Sequence, residues 1–477
     1  MTVRFYDTQA QALREFAPLD PSNVTMYVCG PTVQSGPGIH HLRAALAFDL
    51  MRRWLVRRYG RVTFVRNVTD IDDKVLANAT PTEPWWALAY RMEREFTAAY
   101  AAIGILPPTY EPRATASIPQ MQELIETLIE RGHAYAAGGD VYFDVRSWPS
   151  YGSLTHQSID AMEPGEATAD TAASAKRDPH DFALWKAAKA GEPADATWHS
   201  PWGPGRPGWH IECSAMSRRY LGPQFDIHGG GIDLRFPHHE NELAQSAAAG
   251  HGFARYWMHN AWVTMAGEKM SKSLGNTALV TEVTKRYNPR AVRFFLLAPH
   301  YRSTIEFSPE DDNTRGSLAE AEKAIARIDS FVERAAGHIP QGFFAYAPPE
   351  EARAFREAMD DDLATPAAVA ALFDAIRAGN QALAAGDDEQ ARLYAVVVTG
   401  MLDVFGIHPS APEWADEKSD GDLKPVVDGL VGALLEQRAN ARANKDWAAA
   451  DAIRDTLAGL GLQITDTPTG PTWALEK

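Results

Sequence analysis

The chain has 477 residues, a formal net charge of −16 and an apolar content that is ordinary for a soluble protein. This length exceeds what one hydrophobic core serves, so we expect about three domains. The acidic charge argues against indiscriminate nucleic-acid binding but is compatible with a selective RNA partner. There is no apolar run of about 18 residues and no signal peptide, and two cysteines are too few for a disulfide framework. We therefore expect a cytoplasmic protein without membrane contact.

The first half of the chain predicts an α/β domain. Residues 24–28 are typical of a buried strand, residues 42–59 of a helix and residues 62–68 of a second strand. This order favours a parallel sheet, in which ligands bind at the carboxyl ends of the strands. Residues 114–201 have the character of an insertion, with a helix at 118–131 and a strand at 141–145. Strands at 224–228 and 255–259 then complete the sheet.

The second half predicts helices. Helical spacing of apolar residues covers 289–298, 317–336, 349–359, 365–385 and 388–405. Such a series is typical of an all-helical bundle. A linker rich in proline and acidic residues is expected at 409–418. A small terminal unit follows, with helices at 425–443 and 447–460 and a strand at 463–465.

Candidate metal ligands fall in four neighbourhoods, expected beside strand ends: Cys29, Cys213, His228 and the run HHENE at 238–242. On a helix, residues four apart share a face, which pairs His238 with Glu242. With both thiolates, this pair would form a tetrahedral set suited to zinc. The alternative is that the cysteines are small buried apolar residues and His238 is a core histidine. No CxxC pair decides between the two.

The sequence KMSKS at 269–273 sets two lysines three residues apart between hydroxyl residues. Lys269 and Lys272 could direct two compact charges at one phosphate-bearing ligand. A solvated basic loop is the alternative.

Several segments together resemble the cysteinyl-tRNA synthetases of class I, in their actinobacterial form. They are MYVCGPTV at 26–33, RNVTDIDDK at 66–74, GWHIECSAM at 208–216, FDIHGGG at 225–231, FPHHENE at 236–242 and EKMSKS at 268–273. The resemblance extends through essentially the whole chain. It implies an α/β Rossmann catalytic domain at 1–115 and 201–262, divided by a connective insertion at 116–200. A stem-contact segment with the KMSKS loop at 263–312, an all-α bundle at 313–408 and a small α+β anticodon-binding unit at 420–477 would follow.

The resemblance also implies the activity: ATP-dependent ligation of cysteine to tRNA(Cys) through cysteinyl-adenylate, by a monomer. One zinc per chain would recognise the substrate thiolate, and Mg²⁺ would accompany ATP. The implied site residues are Lys269, Lys272, His41 and His40 for catalysis; Gly38, His41, Gly230, Asp233 and Lys272 for ATP; Thr69 and Trp209 for the amino acid; Cys29, Cys213, His238 and Glu242 for zinc; and Arg442, Trp447, Asp451 and Asp466 for the anticodon. For Trp447, a buried position in an ordinary amphipathic helix is the alternative.

One segment departs from the family pattern. Where the family has His-Ile-Gly-His, this chain has Gly38, Ile39, His40 and His41. The family glycine lets adenosine approach the backbone, which a side chain would obstruct. Either His40 replaces the missing imidazole or the ATP site is impaired.

Three other functions compete with this interpretation. The altered motif suggests a non-catalytic tRNA-binding paralogue. A ligase joining cysteine to an amino sugar would lack the terminal unit, whereas this chain continues from 408 to 477. A zinc hydrolase is disfavoured because four protein ligands leave no open position for water.

Overall fold

The computed structural model describes residues 2–162, 175–265, 267–270, 278–307, 317–338, 352–460, 462–467 and 470–475. The side chains of residues 269, 415–428, 463–472, 474 and 475 lie outside this description. The chain forms two compact units, Met1–His408 and Pro409–Lys477. Among the described residues, none of the helices combines the length and apolar character that crossing a membrane requires.

The elements of the first unit alternate between strands and helices in its first two thirds and are helical afterwards. In chain order its strands are β1 (Arg4–Asp7), β2 (Ala12–Glu15), β3 (Val24–Val28), β4 (Val62–Arg66), β5 (Ala134–Ala137), β6 (Asp140–Phe143), β7 (Phe182–Ala187), β8 (Gly205–Pro207), β9 (Gln224–Gly231), β10 (Phe253–Asn260), β11 (Val263–Met265), β12 (Glu268–Lys269) and β13 (Ile305–Glu306). Its helices are α1 (Ile39–Tyr59), α2 (Asp73–Asn78), α3 (Trp85–Ala102), α4 (Ile118–Glu130), α5 (Trp209–Leu221), α6 (Glu240–Ala248), α7 (Val280–Arg286), α8 (Pro289–Leu297), α9 (Leu318–Ala335), α10 (Arg353–Asp360), α11 (Thr365–Ala385) and α12 (Asp388–Phe405).

A four-stranded parallel sheet organises the first two thirds of this unit, in the order β10-β9-β3-β4. Strands β3 (VTMYV) and β4 (VTFVR) are mostly apolar, as is typical of a parallel sheet with both faces covered. Met26 lies opposite Phe64 on one side and Ile227 on the other, and all three side chains are buried. The predicted α/β fold with a parallel sheet, followed by a helical region, is confirmed.

The segment between the two parts of this sheet forms a layer of its own. Strands β5-β6-β7-β8 pair antiparallel, and α4 packs beside them. The sequence indicated α4 and β6 but missed β5, β7 and β8, because these strands are only three to six residues long and show no alternation of apolar and polar residues.

Helix α1 starts at the altered motif and reaches the helical region. Arg293 of α8 is fully buried and donates to Asp49 of α1 over 2.5 Å. The same guanidinium donates to the carbonyl oxygen of Phe405 at the end of α12. A buried pair of this kind is costly to break, because removing one partner leaves an uncompensated charge. It therefore fixes α1 to the bundle.

The second unit contains α13 (Ala415–Ala443), α14 (Trp447–Gly459) and an antiparallel hairpin of β14 (Leu462–Thr467) and β15 (Gly470–Leu475). The linker predicted at 409–418 is wrong in its second part. Helix α13 begins at Ala415, because both prolines of the predicted linker, at 409 and 412, precede residues 415–418 (ADEK), which favour a helix. Strand β15 was missed because its Gly-Pro start is typical of a turn.

Candidate active site

The four candidate zinc ligands come from three elements at the carboxyl edge of the sheet. Cys29 follows β3, and its N–H donates to the carbonyl oxygen of Gly229 in β9 over 3.1 Å. His238 and Glu242 lie on the turn that leads into α6 and on its first turn. Cys213 lies within α5, so the expectation that it follows a strand is wrong. Helix α5 nevertheless carries its thiol to the same point.

The ligand atoms of these four residues all lie within 4.8 Å of one another. The two Sγ atoms are 3.6 Å apart, and Cys29 Sγ is 3.3 Å from Glu242 Oε1. His238 Nε2 is 3.0 Å from the same Oε1, as the spacing of four residues predicts. Cys213, His238 and Glu242 are at most 1% exposed. Two sulfurs, one imidazole and one carboxylate are a donor set that suits tetrahedral zinc.

A second group of donors overlaps the first and consists of Cys29, His228, His239 and Glu242. Both nitrogens of His228 face oxygen acceptors: Nδ1 is 3.2 Å from the Tyr27 carbonyl oxygen, and Nε2 is 2.9 Å from Glu242 Oε2. The contact of Nε2 with Glu242 allows His228 to orient the carboxylate. Since the second group also has only one sulfur, the first group is the better zinc site.

His210 contacts Nδ1 of His238, and the other ring nitrogen of His238, Nε2, faces the ligand cluster. His210 Nδ1 lies 3.0 Å from His238 Nδ1, so one of the two must donate. Burial, and then the charge of His238, hold the pKa of His210 well below its usual range. Neutral His210 therefore accepts a hydrogen bond from the Nδ1–H group of His238, which is the outer contact that metal-bound histidines commonly make.

Strong electrostatic coupling connects the cluster. Burial lowers the pKa of His238, but the charge of Glu242 and hydrogen bonds outweigh it and raise that pKa to about 10. Burial raises the pKa of Glu242, but His228 and His238 outweigh it and hold that pKa at about 2. Burial also raises the pKa of Cys213, yet hydrogen bonds from Cys29 and His238 bring it to about 6. Burial, and then the hydrogen bond with Cys213, raise the pKa of Cys29 well above its usual range. Metals bind thiolates, carboxylates and neutral imidazoles, so Cys29 and His238 must each release a proton when the metal binds.

The two residues expected at the amino-acid pocket flank this cluster. Thr69 follows β4 and donates through Oγ1 to Glu212 Oε2 over 2.7 Å. Burial, and then the charge of Cys213, raise the pKa of Glu212 well above its usual range. Trp209 stacks on the His238 ring, with centroids 4.2 Å apart and an interplanar angle of 25°. Both residues thus contact the surroundings of the donor cluster.

The altered motif forms a compact arrangement at the start of α1. A Cβ atom at Gly38 would lie 2.8 Å from His40 Cε1 and 2.9 Å from His40 Nδ1. The imidazole of His40 therefore occupies the space beside the Gly38 backbone. The N–H of Gly38 donates to His41 Nδ1 over 3.0 Å, and the rings of His40 and His41 have centroids 3.9 Å apart.

The other predicted ATP residues lie near this edge. Gly230 lies in β9, opposite His259 of β10, and Asp233 lies on the short turn at Ile232–Leu234. The residues that follow the KMSKS loop pair with the altered motif, because Ile39 donates to the Ala278 carbonyl oxygen over 3.0 Å. Lys269 is in β12, but its side chain, and Lys272 as a whole, lie outside the described residues.

The predicted anticodon residues belong to the second unit. Trp447 is the first residue of α14 and is 58% exposed, so the buried alternative is wrong. Arg442 and Asp451 are exposed on α13 and α14. Asp466 lies in β14, and its side chain lies outside the described part.

Three residues that contact the predicted site had no role predicted from the sequence: His210, Glu212 and Asn67. Asn67 Oδ1 lies 3.6 Å from Cys213 Sγ and accepts the N–H of Gly30 over 2.8 Å. Helical spacing offered no signal for His210, whose neighbour His238 lies on a different element. These contacts arise only when the sheet brings the elements together.

Three segments of the chain match models of known protein families. Residues 15–315 match the family model of the tRNA synthetases class I (C) catalytic domain. Residues 354–408 match the DALR domain, and residues 424–473 match the cysteinyl-tRNA ligase anticodon binding domain.

Similar proteins of known name and structure agree with these matches. The cysteine–tRNA ligase of Cutibacterium acnes is 62% identical over 100% of this chain and 97% of its own length. That of Leifsonia xyli subsp. xyli is 58% identical over 100% of both. Among solved structures, methionyl-tRNA synthetase from Mycobacterium tuberculosis has a TM-score of 0.57 at 16% identity, covering 83% of this chain and 93% of that one, which shows a shared fold. The chain therefore belongs to the cysteinyl-tRNA synthetase family of class I aminoacyl-tRNA synthetases.

Proposed function

We propose that this chain ligates cysteine to tRNA(Cys) in two steps, through cysteinyl-adenylate. The carrying observation is the cluster of two thiols, an imidazole and a carboxylate at the carboxyl edge of the sheet, in a member of this family. tRNA(Cys), ATP with Mg²⁺ and L-cysteine are the proposed partners, and a cytoplasmic monomer without membrane contact is the proposed form.

Cys29, Cys213, His238 and Glu242 would hold one zinc. When bound, the metal would take the substrate thiolate as a soft ligand by expanding its shell beyond the four protein donors, while the hydroxyl of serine is a poor, hard ligand. A site built around one polar contact discriminates by about 10⁴ or more, so no editing domain is needed. Thr69 and Trp209 would line the pocket beside this site.

In the first step, the cysteine carboxylate attacks the α-phosphorus of ATP and pyrophosphate leaves. Negative charge moves onto pyrophosphate, so Lys269 and Lys272 would stabilise the transition state electrostatically. His41 and His40 would bind the phosphates from the start of α1, with Gly38, Gly230 and Asp233 around the nucleotide. The pairing of 278–280 with the altered motif supports a shared site, since it holds the end of the KMSKS segment against α1.

In the second step, the terminal ribose hydroxyl of tRNA accepts the cysteinyl group. Trp447 would stack on an anticodon base, and Arg442, Asp451 and Asp466 would bond base edges. The exposure of Trp447 supports this role, because a stacking surface must be open to its base.

Cysteine-dependent exchange of pyrophosphate into ATP tests the first step, and charging of purified tRNA(Cys) tests the second. Both should be positive. Charging competence would exclude the amino-sugar ligase, and exchange would exclude the non-catalytic paralogue. Absence of exchange at saturating cysteine and ATP would contradict the proposal.

A further inference from the structure

A loop of the connective insertion holds the short segment between two proposed zinc ligands. We call residues 151–155 the clamp loop. Glu240 lies between His238 and Glu242 and is 1% exposed. Its Oε1 accepts the N–H of Gly152 over 2.8 Å, and its Oε2 accepts the N–H groups of Leu154 and Thr155 over 3.0 Å each. The Thr155 hydroxyl adds a fourth bond of 3.1 Å.

The backbone of the clamp loop is shaped so that three of its N–H groups point at the Glu240 carboxylate. Gly152 has φ of 92°, in the region that favours glycine. A Cβ atom there would lie 2.0 Å from the carbonyl oxygen of Gln157. The N–H of Gln157 donates to the Gly152 carbonyl oxygen over 3.2 Å, which closes the turn. Glycine at 152 therefore permits the turn that directs three N–H groups at one carboxylate.

The insertion makes two more contacts with the same region. Tyr151 donates to Asn241 Oδ1 over 2.5 Å, and both residues are buried. The ring of Phe182 in β7 packs against His210 with centroids 5.5 Å apart, and His210 contacts His238. The insertion thus contacts the ligand-bearing segment both directly and through the partner of His238.

We propose that Glu240 is a positioning residue through which the connective insertion holds His238 and Glu242 in the geometry that retains the metal. This inference rests on the proposed zinc site. Four hydrogen bonds to a buried carboxylate fix the segment, and both ligands lie two residues away from it. Loss of such outer contacts typically weakens metal binding 10- to 100-fold. The insertion is thereby a structural part of the cysteine pocket.

The test uses the full-length, zinc-loaded protein and measures the rate of zinc release to a chromogenic chelator. Glu240→Gln keeps the size of the side chain but turns an NH₂ group toward N–H donors. We expect release at least about tenfold faster than in the wild type. The KM for cysteine should rise while kcat at saturating cysteine and zinc is retained. Glu126→Gln, an exposed position on α4 of the same insertion, is the matched control and should release zinc at the wild-type rate.

Two further variants keep the proposal falsifiable if Glu240→Gln folds poorly. Gly152→Ala disturbs the clamp loop from its own side, and Thr155→Val removes one of the four bonds. Both should accelerate zinc release, and combining Gly152→Ala with Glu240→Gln should add little to either alone. Wild-type release rates in folded Glu240→Gln or in both clamp-loop variants would overturn the proposal. Loss of cysteine-dependent exchange in the wild type would instead refute the proposed function, whatever the release rates.

Discussion

Replacing Cys213 by serine tests whether the first donor group holds the metal. The thiol lies 3.6 Å from Cys29 Sγ, is 1% exposed and belongs to the first group alone. Serine keeps the size of the side chain, but its hydroxyl retains its proton and is a harder donor. Structural zinc sites with four ligands bind with about 10–16 kcal/mol, or about 3 kcal/mol per ligand. We therefore expect zinc to bind about 100-fold more weakly.

The assay combines chelator competition, which gives the zinc Kd, with cysteine-dependent pyrophosphate exchange. The KM for cysteine should rise steeply in Cys213→Ser, while the KM for ATP stays near the wild-type value. His239→Asn is the matched comparison, because His239 belongs to the second group alone. This variant should keep its zinc. Unchanged zinc and cysteine affinities in Cys213→Ser, or zinc loss confined to His239→Asn, would refute the assignment.

Three further predictions concern the anticodon unit, the altered motif and the bundle. Trp447→Ala should raise the KM for tRNA about 5- to 150-fold and leave pyrophosphate exchange unchanged, because one stacked base contributes about 1–3 kcal/mol. Gly38→His should slow exchange because its side chain meets His40, and the double variant Gly38→His/His40→Gly should recover at least the wild-type rate. Asp49→Asn should lower the free energy of unfolding by about 3–5 kcal/mol in denaturant titrations, because Arg293 loses its buried partner. Burial raises the pKa of Asp49, but Arg293 and Arg53 outweigh it and lower that pKa below 3.8. The stabilisation from Asp49 is thus present above pH 3.8 and is lost as the pH falls through the lower folded pKa. Below pH 3.8, the free energy of unfolding of Asp49→Asn should therefore depend less on pH than that of the wild type.

The predictions for the anticodon unit and for the bundle each have a matched control. Leu430→Ala removes another exposed apolar side chain from the second unit and should not affect charging. Asp374→Asn breaks an ion pair whose side chains are each 68% exposed, and we expect less than about 1 kcal/mol from it. Normal charging by Trp447→Ala would contradict the stacking role of Trp447. A wild-type exchange rate in Gly38→His would contradict the clash with His40. Equal unfolding free energies in the two aspartate variants would contradict the importance of the buried ion pair.

Local periodicity predicted those parts of the site that lie on one element. Helical spacing paired His238 with Glu242, and the apolar run before Cys29 indicated the strand that places it. The same reasoning misplaced Cys213, which lies within α5. The residues around it in the sequence do not indicate which part of the sheet α5 packs against. Resemblance to a known family, rather than spacing, supplied Thr69 and Trp209.

Contacts between distant segments could not be predicted. The clamp loop and Glu240 are more than 80 residues apart in the chain, and no sequence period relates them. The space that His40 occupies beside Gly38 depends on the backbone path before α1. The overlap of the two donor groups arises because His228 and His239 come from β9 and the turn before α6, which meet only in the folded sheet.

The most direct test of the central claim measures bound zinc and cysteine-dependent pyrophosphate exchange in the same samples as zinc is removed and restored. The proposed function predicts about one zinc per chain, loss of exchange in step with zinc removal, and recovery when zinc is returned. Protein shown by elemental analysis to lack zinc, yet activating cysteine at the full rate, would contradict it.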